Sequence, residues 1–124
     1  MRLVLLALAA ALAWPAAAGA TYRDFRSPSG KLGCAFYSDA ETPPMVRCDW
    51  RGADDEAIVL RETGRARIRH VTDSVMNPEA VVLRYGRSTT FRRLKCTSRR
   101  RGITCRSLAS GHGFRVSVSK RERF

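Results

Sequence analysis

Acidic residues almost disappear after Glu79: between Ala80 and Phe124 only Glu122 stands against 13 Lys and Arg, a net of +12. Residues 21–79, by contrast, carry 9 Lys and Arg against 10 Asp and Glu, net −1. Lysine is scarce as well, with 3 against 20 arginines. So one-sided a C-terminal half points to an anionic polymer, whether envelope polysaccharide, lipid head groups or nucleic acid. An ordinary solvated basic surface is the alternative, because basic composition by itself argues only for non-specific association.

Other absences narrow the chemistry. Histidine occurs twice, and no C-x-x-C or H-x-x-x-H spacing is present, so no metal site is expected. There is no G-x-S-x-G elbow, phosphate-cradling glycine loop, EF-hand or dinucleotide fingerprint, so no cofactor is expected either. The acidic run Asp54-Asp55-Glu56 reads as a solvated turn rather than an acid/base pair. Past residue 20 no apolar run approaches the ~20 residues of a bilayer-spanning helix, so no transmembrane anchoring is expected.

The first 20 residues do have such a run, but a short one. Arg2 precedes an apolar stretch from Leu3 to Ala13, then Pro15, then Ala18-Gly19-Ala20 directly before Thr21. This is the pattern of a secretory signal peptide with an A-x-A cleavage site. It predicts a secreted or periplasmic product comprising residues 21–124, one small domain in an oxidising compartment. There the four cysteines are expected as disulfides.

Period-two alternation between Gly, Pro and Asp clusters predicts an all-β domain, a small antiparallel sandwich or partly open barrel. Strands are expected at 22–26, 31–37, 45–51, 57–62, 65–71, 81–85, 91–98, 103–107 and 114–119, with Asp54-Asp55-Glu56 also able to open a short helix in place of the fourth. Three cysteine connectivities are possible, and strand register selects among them. Placing Cys34 opposite Cys48 sets Leu32 against Trp50 and Phe36 against Val46, a wholly apolar face. Placing Cys96 opposite Cys105 sets Leu94 against Ser107 and Ser98 against Ile103, with Arg99–Gly102 as the turn. The expected pairs are therefore Cys34–Cys48 and Cys96–Cys105.

The opposite face of the second hairpin then carries Arg93, Lys95, Thr97, Thr104 and Arg106, with Arg99, Arg100 and Arg101 at its tip. Guanidinium forks suit phosphate or sulfate oxygens. Few aromatics are interleaved, which disfavours base stacking, and the tip can equally serve to guard an edge hairpin against aggregation. His70 alternates with Ala66 and Ile68 and is expected to face inward. His112, between Gly111 and Gly113, sits in a loop that admits either a tight turn or close approach of a ligand. The candidate ligand-binding residues are thus Arg93, Lys95, Arg99, Arg100, Arg101, Arg106 and His112. No catalytic residue is assigned, although His112 with Glu62 or Asp73 and with Arg106 or Arg115 has the makings of a small secreted nuclease.

Several segments together resemble a family of small secreted bacterial proteins of unknown function. They are Ser27-Pro28-Ser29-Gly30 running to Cys34, Arg47-Cys48-Asp49, Val82-Leu83-Arg84-Tyr85-Gly86, Cys96-Thr97-Ser98, Gly102-Ile103-Thr104-Cys105 and Gly111-His112-Gly113-Phe114. The resemblance implies a secreted, cysteine-bearing single domain and carries no activity, cofactor or catalytic residue with it. It also implies a further cysteine pair in the middle of many relatives, which this chain lacks between Asp54 and Asp73. The expectation is a non-enzymatic binding module for an anionic polymer, with a secreted protein-binding factor or inhibitor as the alternative.

Overall fold

The computed structural model describes residues 10–12 and 19–124, so most of the leader assigned to residues 1–20 lies outside the described residues. The described residues contain eleven strands and no helix: β1 (Thr21–Arg26), β2 (Leu32–Ser38), β3 (Met45–Trp50), β4 (Glu56–Arg61), β5 (Arg67–His70), β6 (Val81–Val82), β7 (Ser88–Phe91), β8 (Leu94–Arg99), β9 (Gly102–Ser107), β10 (Gly113–Val116) and β11 (Arg121–Arg123). No helix among them is long and apolar enough to cross a membrane. Two sheets form, ordered β5-β4-β3-β2-β1-β6 and β11-β10-β9-β8-β7, and neither closes into a barrel. Of the two architectures expected, the chain adopts the sandwich.

Alternation explains the packing. Cys34 faces Cys48, Leu32 faces Trp50 and Phe36 faces Val46, while Cys96 faces Cys105 and Ser98 faces Ile103. Both disulfides are formed as the registers require. These inward side chains merge with Ile58, Leu60, Phe114 and Val116 into one buried cluster shared by the two sheets. At one side of it Phe25, Phe36 and Phe91 stack, with ring centroids 5.5 and 5.4 Å apart, and the Arg23 guanidinium lies 5.2 Å from the Phe36 ring.

A long crossover, residues 71–80, carries the chain from β5 at one edge of the first sheet to β6 at its other edge. It runs over the outer side of the first sheet, where Gly33 is needed: a Cβ there would lie 2.9 Å from Met76 Cα. Arg47, only 13% exposed, anchors the passage by donating to Asp49 Oδ1 at 2.8 Å and to Asp73 Oδ1 at 2.8 Å. Val75 N–H donates to Asp49 Oδ2 at 3.1 Å. The crossover then feeds β6, which pairs parallel with β1. An ion-pair network therefore ties down the region that lacks the extra cysteine pair.

Carboxylates set the acid limit of this fold. The Tyr37 hydroxyl and the Glu41 and Thr42 N–H groups all donate to Asp39, holding its carboxyl at about 2 instead of the usual 3.8. Arg47 likewise holds Asp73 below its ordinary range. A depressed folded-state pKa contributes stability that is complete above the unfolded value and is lost as pH falls through the folded one. The urea midpoint is accordingly expected to stay level from about pH 7 to 5 and to fall between about pH 4 and 2. Asp39→Asn should shrink that fall; an identical acid limb in the variant would contradict the assignment.

Several expectations need correction. The strand expected at 91–98 is two, because Arg92-Arg93 forms a tight turn that pairs Phe91 with Leu94 and places Arg92 at φ +53°. No glycine or asparagine announces that turn. The segment 81–85 shortens to two residues and 65–71 to four, and β11 lacks any apolar alternation to betray it, whereas the fourth strand forms as expected, beginning at Glu56. His70 is not inward: its side chain is 75% exposed, with Nδ1 4.0 Å from Asp55. It shares the inward parity of Ala66, which is buried, but β5 is an edge strand and the second sheet does not cover its far end.

Candidate anion-binding surface

Strand β8 runs antiparallel to β9, with β10 beyond, so outward side chains fall into rows across the second sheet. One row reads Thr90, Lys95, Arg106 and Gly113; the next reads Ser88, Thr97, Thr104 and Arg115. Lys95 and Arg106 thus face each other directly across the hairpin. Like charges placed so, about 5 Å apart at Cβ, destabilise a sheet unless something neutralises them. Neither makes an ion pair among the described residues, and neither do Arg93, Arg99, Arg100 or Arg101. Arg115 differs, because Glu122 lies 2.5 Å away and is shared with Lys120 at 2.9 Å.

The candidate residues follow the β8–β9 hairpin and the loops at its two ends, and do not meet at one point. Arg93 sits in the β7–β8 turn, where its N–H donates to Glu62 Oε2 at 3.1 Å. His112 is at that same end, since its carbonyl accepts from Ser107 N–H at 2.8 Å. Lys95 and Arg106 occupy the middle, and Arg99, Arg100 and Arg101 form the far end. At about 3.3 Å per strand residue the array from Arg93 to Arg99 spans roughly 20 Å, which suits an extended chain better than a compact molecule.

The tip holds more than sequence reasoning assigned. The Arg100 guanidinium lies 5.2 Å from the Tyr85 ring, which fixes its direction. Arg99, Arg100 and Lys31 border a concavity of about 270 Å³ together with the hydroxyl residues Ser27, Ser29 and Ser117. The Ser27–Gly30 turn brings Lys31 there although it lies far from Arg99 and Arg100 in the chain. Neither Lys31 nor Tyr85 stood out in the sequence, because their part in the site depends on how the two sheets dock.

Of the residues that a nuclease reading would use, Glu62 and Arg106 lie at the His112 end of the second sheet, and the others are engaged elsewhere. Asp73 is engaged by Arg47 on the outer side of the first sheet, Arg115 is committed to Glu122, and among the described residues no carboxylate oxygen lies within 4.0 Å of a His112 nitrogen. No cluster of three or more potential metal ligands occurs among the described residues.

Comparison with known sequences finds a match over residues 43–124 to the model of a family described as a family of unknown function (DUF6636). The matched segment begins just before β3 and includes the whole of the second sheet. No curated protein and no solved structure matches the chain.

Proposed function

The chain belongs to that family of unknown function, matched over residues 43–124, and from its own geometry we propose that it is an extracytoplasmic binding module for an acidic polysaccharide. The carrying observation is the facing pair Lys95 and Arg106, without an acidic partner among the described residues, in the middle of a stripe that continues to Arg93 at one end and to Arg99, Arg100 and Arg101 at the other. A polyanion lying along the stripe would relieve that repulsion, and guanidinium forks would hold its sulfate or carboxylate groups. The two disulfides fit an oxidising compartment. Charge alone is read here. Aromatic side chains do not alternate with the arginines, so bases have no platform to stack upon.

The test titrates the purified domain with a heparin-type sulfated polysaccharide and, separately, with single-stranded RNA of matched charge. Affinity for the polysaccharide is expected to fall about a hundredfold or more between about 50 and 200 mM salt, as counterion release requires for several simultaneous contacts. Lys95→Glu with Arg106→Glu should weaken binding at least about tenfold and flatten the salt dependence. Unchanged affinity and slope in that variant would overturn the site. Tighter binding of RNA than of the polysaccharide would overturn the ligand class.

A further inference from the structure

The first sheet carries an arginine cluster of its own, on the side of the core away from the Lys95–Arg106 stripe. Outward positions on β4 and β5 follow the register Val59 to Arg67 and Ala57 to Arg69, which puts Arg65, Arg67 and Arg69 along one face at alternate residues. Arg61 joins them from the end of β4, and the bend at Thr63 and Gly64 closes the end. Together these six residues, with Val59, line a concavity of about 230 Å³. All four arginines are exposed. None forms an ion pair or a side-chain hydrogen bond among the described residues.

Glu56 stands opposite His70 in the strand register and falls on the opposite side of the strand from Arg67 and Arg69, and the other nearby acids are engaged elsewhere. Asp49 and Asp73 are held by Arg47, Glu62 accepts from the Arg93 N–H, and Asp55 faces His70. Alternate arginines on one strand lie about 7 Å apart, near enough to repel and near enough to share one oxyanion. A single charged side chain is enough to block strand addition at an edge; four guanidiniums converging on one hollow exceed that need. The hollow has no aromatic lining for a base.

We propose that Arg61, Arg65, Arg67 and Arg69 form a second anion site, which takes a sulfate or carboxylate group of an acidic polysaccharide. With a binding surface on each side of the core, the protein would bridge two polymer chains. The bridging consequence rests on the polysaccharide reading of the Lys95–Arg106 stripe, while the second site stands on its own geometry.

The experiment uses a short heparin-type oligosaccharide to count sites by calorimetry and a long chain of the same polymer to read bridging by light scattering. The native protein is expected to bind two oligosaccharides and to form large particles with the long chain. The quadruple variant R61Q/R65Q/R67Q/R69Q should bind one and form none, with its thermal melt confirming an intact fold. A charge-preserving R61K/R65K/R67K/R69K variant should still bind weakly at the second site, since ammonium groups keep the attraction but not the fork geometry. One oligosaccharide per native protein, or a quadruple variant that still binds two and scatters like the native protein, would overturn the second site. If instead K95E/R106E still binds two while the quadruple variant binds one, the stripe reading fails and the second site holds.

Discussion

Gly102→Ala is expected to cost about 3 kcal/mol or more and to lower the melting temperature by roughly 15 °C. Two independent causes act together. Gly102 sits at φ +135°, where an L side chain is strained. A Cβ there would also lie 2.1 Å from the Val116 carbonyl oxygen and 2.9 Å from its carbon. Those are backbone atoms of β10, and β10 is held by pairing to β9 at Ile103 opposite Val116, so no rotamer change relieves the clash. The strand has to move. Gly111→Ala is the internal control: its φ is +79°, nothing lies within 4 Å of the added carbon, and about 1 kcal/mol is expected from the conformation alone. Thermal melts followed by circular dichroism decide the matter, and equal melting temperatures for the two variants would sink the argument.

Loss of the disulfides is the second large effect. Cys34–Cys48 and Cys96–Cys105 bridge sequence separations of 14 and 9, and in the chain-entropy picture loops of this size are worth on the order of 3 kcal/mol each. A domain this small has total stability of only about 5–15 kcal/mol. Full reduction is therefore expected to shift the urea midpoint far down or to abolish the cooperative transition. The paired variants C34A/C48A and C96A/C105A should each show an intermediate loss, because each sits at the centre of one sheet's buried face. A reduced protein with an unchanged urea midpoint would contradict this.

How much of this was legible depends on what each residue reports locally. Cysteine pairs and alternation carry their information within a hairpin, so the registers around Cys34–Cys48 and Cys96–Cys105 could be written from the sequence pair by pair. The turn at Arg92-Arg93 could not, since nothing in an arginine pair marks a left-handed residue. Nor could the exposure of His70, which follows from the second sheet ending short of β5. The Arg61–Arg69 cluster escaped notice for a different reason. Residues 21–79 are nearly neutral in sum, and only the fold reveals that Arg47 gathers Asp49 and Asp73 to itself, while Arg61, Arg65, Arg67 and Arg69 have no ion pair among the described residues. Lys31 entered the Arg99–Arg100 concavity through sheet docking, which no single hairpin encodes.

Each disulfide closes inside one hairpin, and the described residues have no cross-link between the sheets. The strand order is equally local: β1 to β5 are neighbours in sequence order, as are β7 to β11, and only the parallel β1–β6 pair departs from it. Under oxidising conditions, a chain that emerges from its N-terminus can therefore complete its first cross-link when Cys48 arrives, before any cysteine of the second pair is available to compete. The second closes nine residues after Cys96, again between neighbours. Oxidative folding of this protein is thus expected to proceed without a mispaired intermediate, leaving sheet docking and the β1–β6 closure as its slow step.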